Sequence, residues 1–247
     1  MENKIVLVTG GSRGIGRSIC ETLAERGCTV IFTYLTNEEM AQSLASEIRA
    51  KGQNAYAYSC DMSDLKAVIT FTASARKQHG AFDAIVNNAG ILGDGKPFLM
   101  SADDHWWNVM KTNIGSVTNT CRAVVPQMIA QKRGKIVNIT SVSGQKGNPG
   151  QSAYSASKSA IVTFSKALSK EVGRYGITVN CVSPGLIETD MTKDIPNEYV
   201  TARAKFSPMS RKGEVAEVAS LVAYLVCDAP SYLVAQELTI DGGIGIG

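Results

Sequence analysis

Three side chains able to carry acid–base chemistry fall within one stretch, SVSGQKGNPGQSAYSASK, residues 141–158. Ser141 lies thirteen positions before Tyr154, and Lys158 lies four after it. A free tyrosine titrates near pH ~10, too high for an efficient acid–base group at neutral pH. A lysine ammonium beside it favours the phenolate and lowers that value. A serine hydroxyl can hold a substrate oxygen without competing for charge. Together they suit proton exchange at a carbonyl or an alcohol. The same letters also fit a helix start carrying an ordinary exposed tyrosine and lysine, and Y-x-x-x-K is a common spacing. The elements around the stretch decide between the two.

The apolar run KIVNIT before Ser141 predicts a strand, and Gly144, Gly147, Pro149 and Gly150 demand a loop. From Gln151 the spacing is helical, with Ala156, Ala160, Ile161, Phe164, Leu168 and Val172 on one broad face. Residues four apart on a helix are neighbours, so Tyr154 and Lys158 project side by side. A serine at a strand end can then meet a tyrosine and a lysine from a helix start.

The rest of the chain repeats strand, loop and helix. Lys4 to Thr9 is a strand, ended by the glycine loop Gly10-Gly11-Ser12-Arg13-Gly14-Ile15-Gly16 and a helix that stops at Gly27. Such a loop permits unusual dihedrals and close backbone approach, and the helix N-terminus favours an anion. Further strands are expected at 29–34, 55–60, 84–86, 177–182 and 237–240. Helices are expected at about 37–51, from an N-cap at Ser63 to Gly80, at 102–132, at 152–175 and at 214–226. The 102–132 helix should break softly at Asn113 to Gly115 and kink at Pro126. Alternating strands and helices imply crossover connections and a parallel sheet, hence an α/β fold in a single domain over 1–247. Residues 187–212 have weak periodicity and read as a lid over the strand ends.

Composition narrows the function. The chain has 247 residues, 44% of them hydrophobic, enough for a sizeable core. A net charge of +3 is too small to argue for nucleic acid. Two histidines, His79 and His105, make a histidine-rich metal site improbable. The six cysteines form no C-x-x-C pair, and four sit in apolar runs, which points to buried reduced thiols in a cytoplasmic protein. No apolar run approaches a signal peptide or a membrane span.

TGGSRGIG at 9–16, NNAG at 87–90, Asn113, Ser141, YSASK at 154–158 and SPG at 183–185 occur in one order over nearly the whole chain. This set resembles the short-chain dehydrogenase/reductase family; within it, Gly185-Leu186-Ile187-Glu188-Thr189-Asp190-Met191 and the overall layout most resemble the 3-oxoacyl-acyl-carrier-protein reductases. The resemblance implies a Rossmann-type doubly wound sheet of about seven parallel strands, with a dinucleotide bound at the strand carboxyl ends. It implies that Tyr154 protonates a carbonyl, Lys158 lowers its pKa and holds the nicotinamide ribose, and Ser141 orients the carbonyl. Asn113 would hold a water that links Lys158 to solvent.

For the cofactor it implies that Gly10, Ser12, Arg13, Gly14, Ile15 and Gly16 wrap the pyrophosphate and adenosine ribose. Asp61 and Met62 would meet the adenine, and Asn88, Ala89 and Gly90 would line the cofactor path. Pro184, Gly185, Ile187 and Thr189 would contact the nicotinamide end. After the second strand the chain reads Tyr34-Leu35-Thr36-Asn37, without the acid that usually holds a ribose 2′-hydroxyl, while Arg13 offers a charge for a 2′-phosphate. The expected cofactor is therefore NADP(H).

The expected reaction is reduction of a 3-oxoacyl thioester to the 3-hydroxyacyl product, as in fatty acid or polyketide-type biosynthesis. A CoA-thioester or small-ketone oxidoreductase is the alternative, and a non-catalytic nucleotide-binding regulator a more distant one. The substrate would arrive on an acidic acyl carrier protein, docked by Lys132, Arg133 and Arg174 near the site entrance. A homotetramer is expected, built on apolar residues of the two long helices: Ile114, Val117, Val124 and Met128 on one, and Ile161, Phe164 and Leu168 on the other.

Overall fold

In the computed structural model, which describes residues 3–189 and 207–246, seven strands form one parallel sheet. The strands are β1 (Ile5–Val8), β2 (Thr29–Tyr34), β3 (Asn54–Ser59), β4 (Ala84–Asn87), β5 (Gly134–Ile139), β6 (Ile177–Pro184) and β7 (Glu237–Ile240). Their order is β3-β2-β1-β4-β5-β6-β7. The winding reverses between β1 and β4, whose register pairs Val6 with Ala84 and Val8 with Val86. A crevice must open outside the carboxyl ends of these two strands, and ligands of such sheets bind there.

Seven helices connect the strands among the described residues: α1 (Gly14–Glu25), α2 (Glu38–Ala50), α3 (Leu65–His79), α4 (Asp103–Gln131), the single turn α5 (Ser143–Lys146), α6 (Ser152–Val172) and α7 (Val215–Cys227). Successive strand residues face opposite sides of the sheet, so there are two cores. Val6, Val8, Val30, Phe32 and Val137 meet Ile19, Leu23, Leu44 and Val222 from α1, α2 and α7. Leu7, Ile31, Ile85, Ile136 and Val179 meet Val68, Phe71, Val124, Met128 and Ile161 from α3, α4 and α6. No helix among the described residues is long and apolar enough to cross a membrane.

Two helix details differ from the expectation. The first is α4, which runs unbroken through Asn113–Gly115 and Pro126. Asn113 and Ser116 are anchored sideways, to Ile91 and Ala89, and this holds the turn helical. Pro126 lies on the exposed side, where solvent can take the carbonyl that loses its N–H partner. The second is the cap of α3. Asp64, rather than Ser63, caps it, accepting from Lys66 N at 2.8 Å and Ala67 N at 3.3 Å. Ser63 instead donates its hydroxyl to Asp61 at 2.8 Å.

Of the expected lid, residues 190–206 lie outside the described residues. Its two flanks meet where Ile187 bridges Gly213, and Ser207 is tied to the segment after β7 by donating to the Gly242 carbonyl at 2.5 Å.

The cap assignment is testable by urea unfolding. Asp64→Ala should cost about 1 kcal/mol, the usual scale for an N-cap, with Ser63→Ala within about 0.5 kcal/mol of wild type. The reverse ranking would return the cap to Ser63.

Candidate active site

The catalytic stretch is assembled from β5, the loop after it and the first turns of α6. Ser141 follows the end of β5 and is buried, its hydroxyl oxygen accepting from Ser143 N at 3.1 Å. Thr140 ties this strand end to β6 through the Val182 carbonyl at 3.0 Å. Lys158 is 4% exposed, and its Nζ donates to the Ile139 carbonyl at 2.9 Å. The same Nζ stands 5.5 Å from the centre of the Tyr154 ring. Ser141 stands close enough to Tyr154 to act on its phenol, so the three side chains converge as their spacing predicts.

Asn113 comes in from the middle of α4. Its Oδ1 accepts from Ile91 N at 2.8 Å, and its Nδ2 donates to Ile91 O and to Ser157 Oγ, each at 3.0 Å. Both donors are thus occupied by protein, and the side chain holds the turn after Gly90 in place. A Cβ on Gly90 would lie 2.9 Å from Asn113 Oδ1 and 3.6 Å from Lys158 Nζ, so the path past Gly90 is open only to glycine.

Protonation differs from the expectation in one respect. Burial pushes the Tyr154 phenol above its ordinary range, opposed by the Ser141 hydroxyl. Burial likewise lowers Lys158 to about 8. Burial outweighs any lowering by the Lys158 ammonium, which is itself desolvated and turned to the Ile139 carbonyl. The phenol therefore keeps its proton at neutral pH, and the lysine remains mostly charged.

Beside this cluster the crevice divides into two chambers. One, of about 190 Å³, is lined by Tyr154, Lys158, Ser141, Pro184, Gly185 and Ile187, among others. The second, of about 490 Å³, is lined by Gly10, Ser12, Arg13, Gly14, Ile15 and Gly16, by Tyr34, Asp61 and Met62, and by Asn88, Ala89 and Gly90. Ile15, Asn88, Gly90 and Thr189 border both. Every residue that the resemblance assigns to the cofactor lines one chamber or the other.

The donor set fits a dinucleotide. The first turn of α1 has no side-chain cap, so its N–H groups face the chamber side without an internal acceptor. Gly16 allows backbone contact that a side chain would block, since a Cβ there would sit 2.1 Å from the Gly10 carbonyl. Arg17 is neutralised by Glu21 and Glu47, whereas the exposed Arg13 makes no ion pair among the described residues.

Several chamber residues were not singled out from sequence. Ser143, Asn148 and Gln151 form a polar wall in the smaller chamber, with Ser143 donating to Gln151 Oε1 at 3.2 Å. Their place beside Tyr154 in the loop was the available signal. Thr112 and Ser116 enter the larger chamber from α4, one helical turn apart, and only the fold reveals them.

Two expectations are corrected by position. Lys132 and Arg133 precede β5, and Arg174 precedes β6, so all three lie at the strand amino edge. Ser141 lies at the other end of β5, roughly 20 Å away for a six-residue strand. Within one chain they do not border the site entrance, and Arg133 is already paired with Asp83 at 3.0 Å. Of the apolar residues expected on a subunit interface, Val117, Val124, Met128, Ile161 and Leu168 are buried in the chain's own core. Only Ile114 and Phe164 keep partial exposure.

The depressed Lys158 has a consequence for stability. Between about pH 8 and the ordinary lysine value the unfolded chain holds a proton that the folded one has released, so stability should rise with pH in that window. Urea unfolding at pH 7.5 and 9.5 should show this gain in wild type and a smaller one in Lys158→Met. An identical gain in both would remove Lys158 as its source.

The family described as short chain dehydrogenase matches residues 4–200. Among curated relatives, the 3-oxoacyl-[acyl-carrier-protein] reductase FabG of Chlamydia muridarum is 41% identical over 243 residues, covering 98% of this chain and 97% of its own. The protein of the same name from Haemophilus influenzae is 39% identical over 244 residues and 99% of each chain. The crystal structure of 3-oxoacyl-[acyl-carrier protein] reductase from Brucella melitensis superposes with a TM-score of 0.92 at 36% identity, over 99% of this chain and 92% of that one. The crystal structure of gox2181 gives 0.95 at 32% identity, over 100% and 97%. With its crevice at the β1/β4 reversal and these matches along nearly its full length, the chain belongs to the short-chain dehydrogenase family.

Proposed function

We propose that this chain is an NADPH-dependent reductase of 3-oxoacyl groups carried on acyl carrier protein, working in the cytoplasm as in fatty acid biosynthesis. The observation that carries the reading is the Ser141–Tyr154–Lys158 cluster, with Ser141 and Lys158 buried and Tyr154 half-buried, opening on two joined chambers. The names of the full-length relatives supply the substrate class. In this reading the chain acts as one domain over 1–247, and Ile187 and Thr189, at the start of the expected lid, line the smaller chamber.

When bound, a reduced nicotinamide supplies the hydride. The chain's own residues do the rest. Ser141 Oγ holds the substrate carbonyl oxygen, and Tyr154, protonated at neutral pH because its phenol is desolvated, gives that oxygen its proton. Lys158 offsets the phenolate that forms and holds the ribose. Asn113 keeps Ile91 and Gly90 clear of this path. Arg13, which makes no ion pair among the described residues, supplies the cation for a 2′-phosphate, and no acid stands at Leu35-Thr36-Asn37 to hold a bare ribose hydroxyl.

The assembly is a homotetramer in this reading. A two-fold axis across α4 and α6 sets each helix against an antiparallel copy. The Arg174 end of one α6 then approaches the Tyr154 end of the other. Lys132, Arg133 and Arg174 would serve the partner's entrance and dock an acidic carrier there.

Turnover of 3-oxoacyl groups on carrier protein and on CoA, with NADPH and with NADH, tests the reading. NADPH and the carrier-bound substrate should give the higher kcat/KM, and Tyr154→Phe should lose about two to four orders of magnitude in kcat while still binding NADPH. Near-normal turnover by Tyr154→Phe would overturn the mechanism. Preference for CoA would replace the carrier by the smaller thioester.

Docking has its own test, in which Arg133 is left alone because it anchors Asp83. Lys132→Glu with Arg174→Glu should lower activity on the carrier-bound substrate about tenfold and weaken its salt dependence, with a small free ketoester unaffected. Equal loss on both substrates would exclude a docking role.

A further inference from the structure

Far from the catalytic cluster, two cysteines nearly 200 positions apart in sequence meet at the end of α7. Cys28 sits in the turn between α1 and β2, and Cys227 is the last residue of α7. Their Sγ atoms are 3.9 Å apart. A disulfide bond is about 2.05 Å long, so a small side-chain rotation in each would close the gap. We propose that Cys28 and Cys227 form a redox modification site, a reactive thiol and its resolving partner that a hydroperoxide converts to a disulfide.

The surroundings distinguish the two sulfurs. Lys4 Nζ donates to the Val226 and Cys227 carbonyls, each at 3.1 Å, and so covers the negative end of α7 with a cation. Lys135 Nζ, donating to the Ala229 carbonyl at 2.8 Å, and Arg26, paired with Asp228, complete a basic rim. The contact with Cys28, then Lys4 and Arg26, hold the Cys227 thiol below its ordinary range against burial and Asp228, while the same contact holds Cys28 above its own. Cys227 is half-buried and Cys28 is buried. The other four cysteines, Cys20, Cys60, Cys121 and Cys181, are buried and all pushed upward by burial. Low thiol pKa, partial access and an adjacent second thiol are the features of a reactive cysteine pair.

The steps balance with a hydroperoxide as the sole oxidant. The Cys227 thiolate attacks the terminal peroxide oxygen, the O–O bond breaks, and the leaving alkoxide or hydroxide takes a proton from solvent. Cys227 is then a sulfenic acid. Cys28 gives up its proton and attacks the Cys227 sulfur, the S–O bond breaks, and water leaves. Two thiols and one hydroperoxide have become one disulfide, one alcohol or water, and one water. The bridge would fasten the α1–β2 turn to the end of α7 at the strand amino edge, on the opposite side of the sheet from Tyr154.

The test uses the full chain treated with a small excess of hydrogen peroxide, blocked with N-ethylmaleimide and digested without reductant. Mass spectrometry should find the Cys28 and Cys227 peptides joined within one chain, two hydrogens lighter than the separate pair and freed by dithiothreitol. Cys28→Ser should trap a sulfenic acid at Cys227 that dimedone labels, and Cys227→Ser should leave Cys28 unlabelled. Three results would each overturn the proposal: no joined peptide, Cys227 oxidised no faster than the four buried cysteines, or a bridge only between two chains. The wild-type map alone decides the matter if Cys28→Ser does not fold.

Discussion

Two side chains, Thr9 and Asn88, tie together the strand ends where the sheet reverses its winding. The Thr9 hydroxyl oxygen accepts from Asn88 N and Ala89 N, each at 3.0 Å. Asn88 Nδ2 returns bonds to the Thr9 and Gly10 carbonyls at 3.0 and 2.9 Å. The turn after β4 is thereby locked to the glycine loop after β1. Gly16 must lack a side chain because a Cβ there would also press on Asn88 Nδ2, at 2.5 Å. From the same turn, Gly90 leads to Asn113, and Asn113 to Ser157 beside Lys158. The wall between the two chambers depends on this clasp, since Asn88 and Gly90 border both.

Burial sets the electrostatics on the other side of that wall. It raises Tyr154 and lowers Lys158, so it favours the neutral form of each. An acid that must keep its proton until a carbonyl oxygen asks for it is well served by the first shift. The second leaves an ammonium that is charged at neutral pH yet held by a single carbonyl, Ile139, with donors left for other acceptors. The site therefore starts with its proton on the tyrosine and its positive charge close by.

Most of the chemistry was legible in the sequence because each motif is local. Ser141, Tyr154 and Lys158 sit within one strand–loop–helix unit, and the glycine loop within another. The misreadings concern placement. Ser63 and Asp64 are adjacent N-cap candidates, and only the geometry of Lys66 N and Ala67 N chooses between them. Arg133 and Arg174 were read as near the entrance, although in a parallel sheet every helix-to-strand connection lies at the amino edge. That rule, applied to the expected strands, would have put them at the far end. The interface face was misread because an apolar stripe on α4 or α6 looks alike whether it meets the sheet or a second chain.

What no local pattern could show is how the catalytic helix is held in register. Asn87 Nδ2 donates to Asn138 Oδ1 at 2.7 Å, and Asn138 Nδ2 donates to Ser165 Oγ at 2.7 Å. Ser169 adds a bond to the Val179 carbonyl at 3.2 Å. These are buried polar groups in an otherwise apolar interior, and left unpaired each would cost about 1–3 kcal/mol. Lys158, Ile161, Ser165 and Ser169 lie on one face of α6, toward the sheet. A slip of one turn along that face would move Lys158 by about 5.4 Å and take it out of reach of Ile139. Apolar packing alone tolerates such slips, because Ile161 and Leu168 can meet other apolar neighbours. The asparagine–serine pairing does not, since a shifted helix would draw Ser165 away from the Asn138 amide and Ser169 away from the Val179 carbonyl. Its effect is to fix where the lysine stands relative to the tyrosine and the strand end.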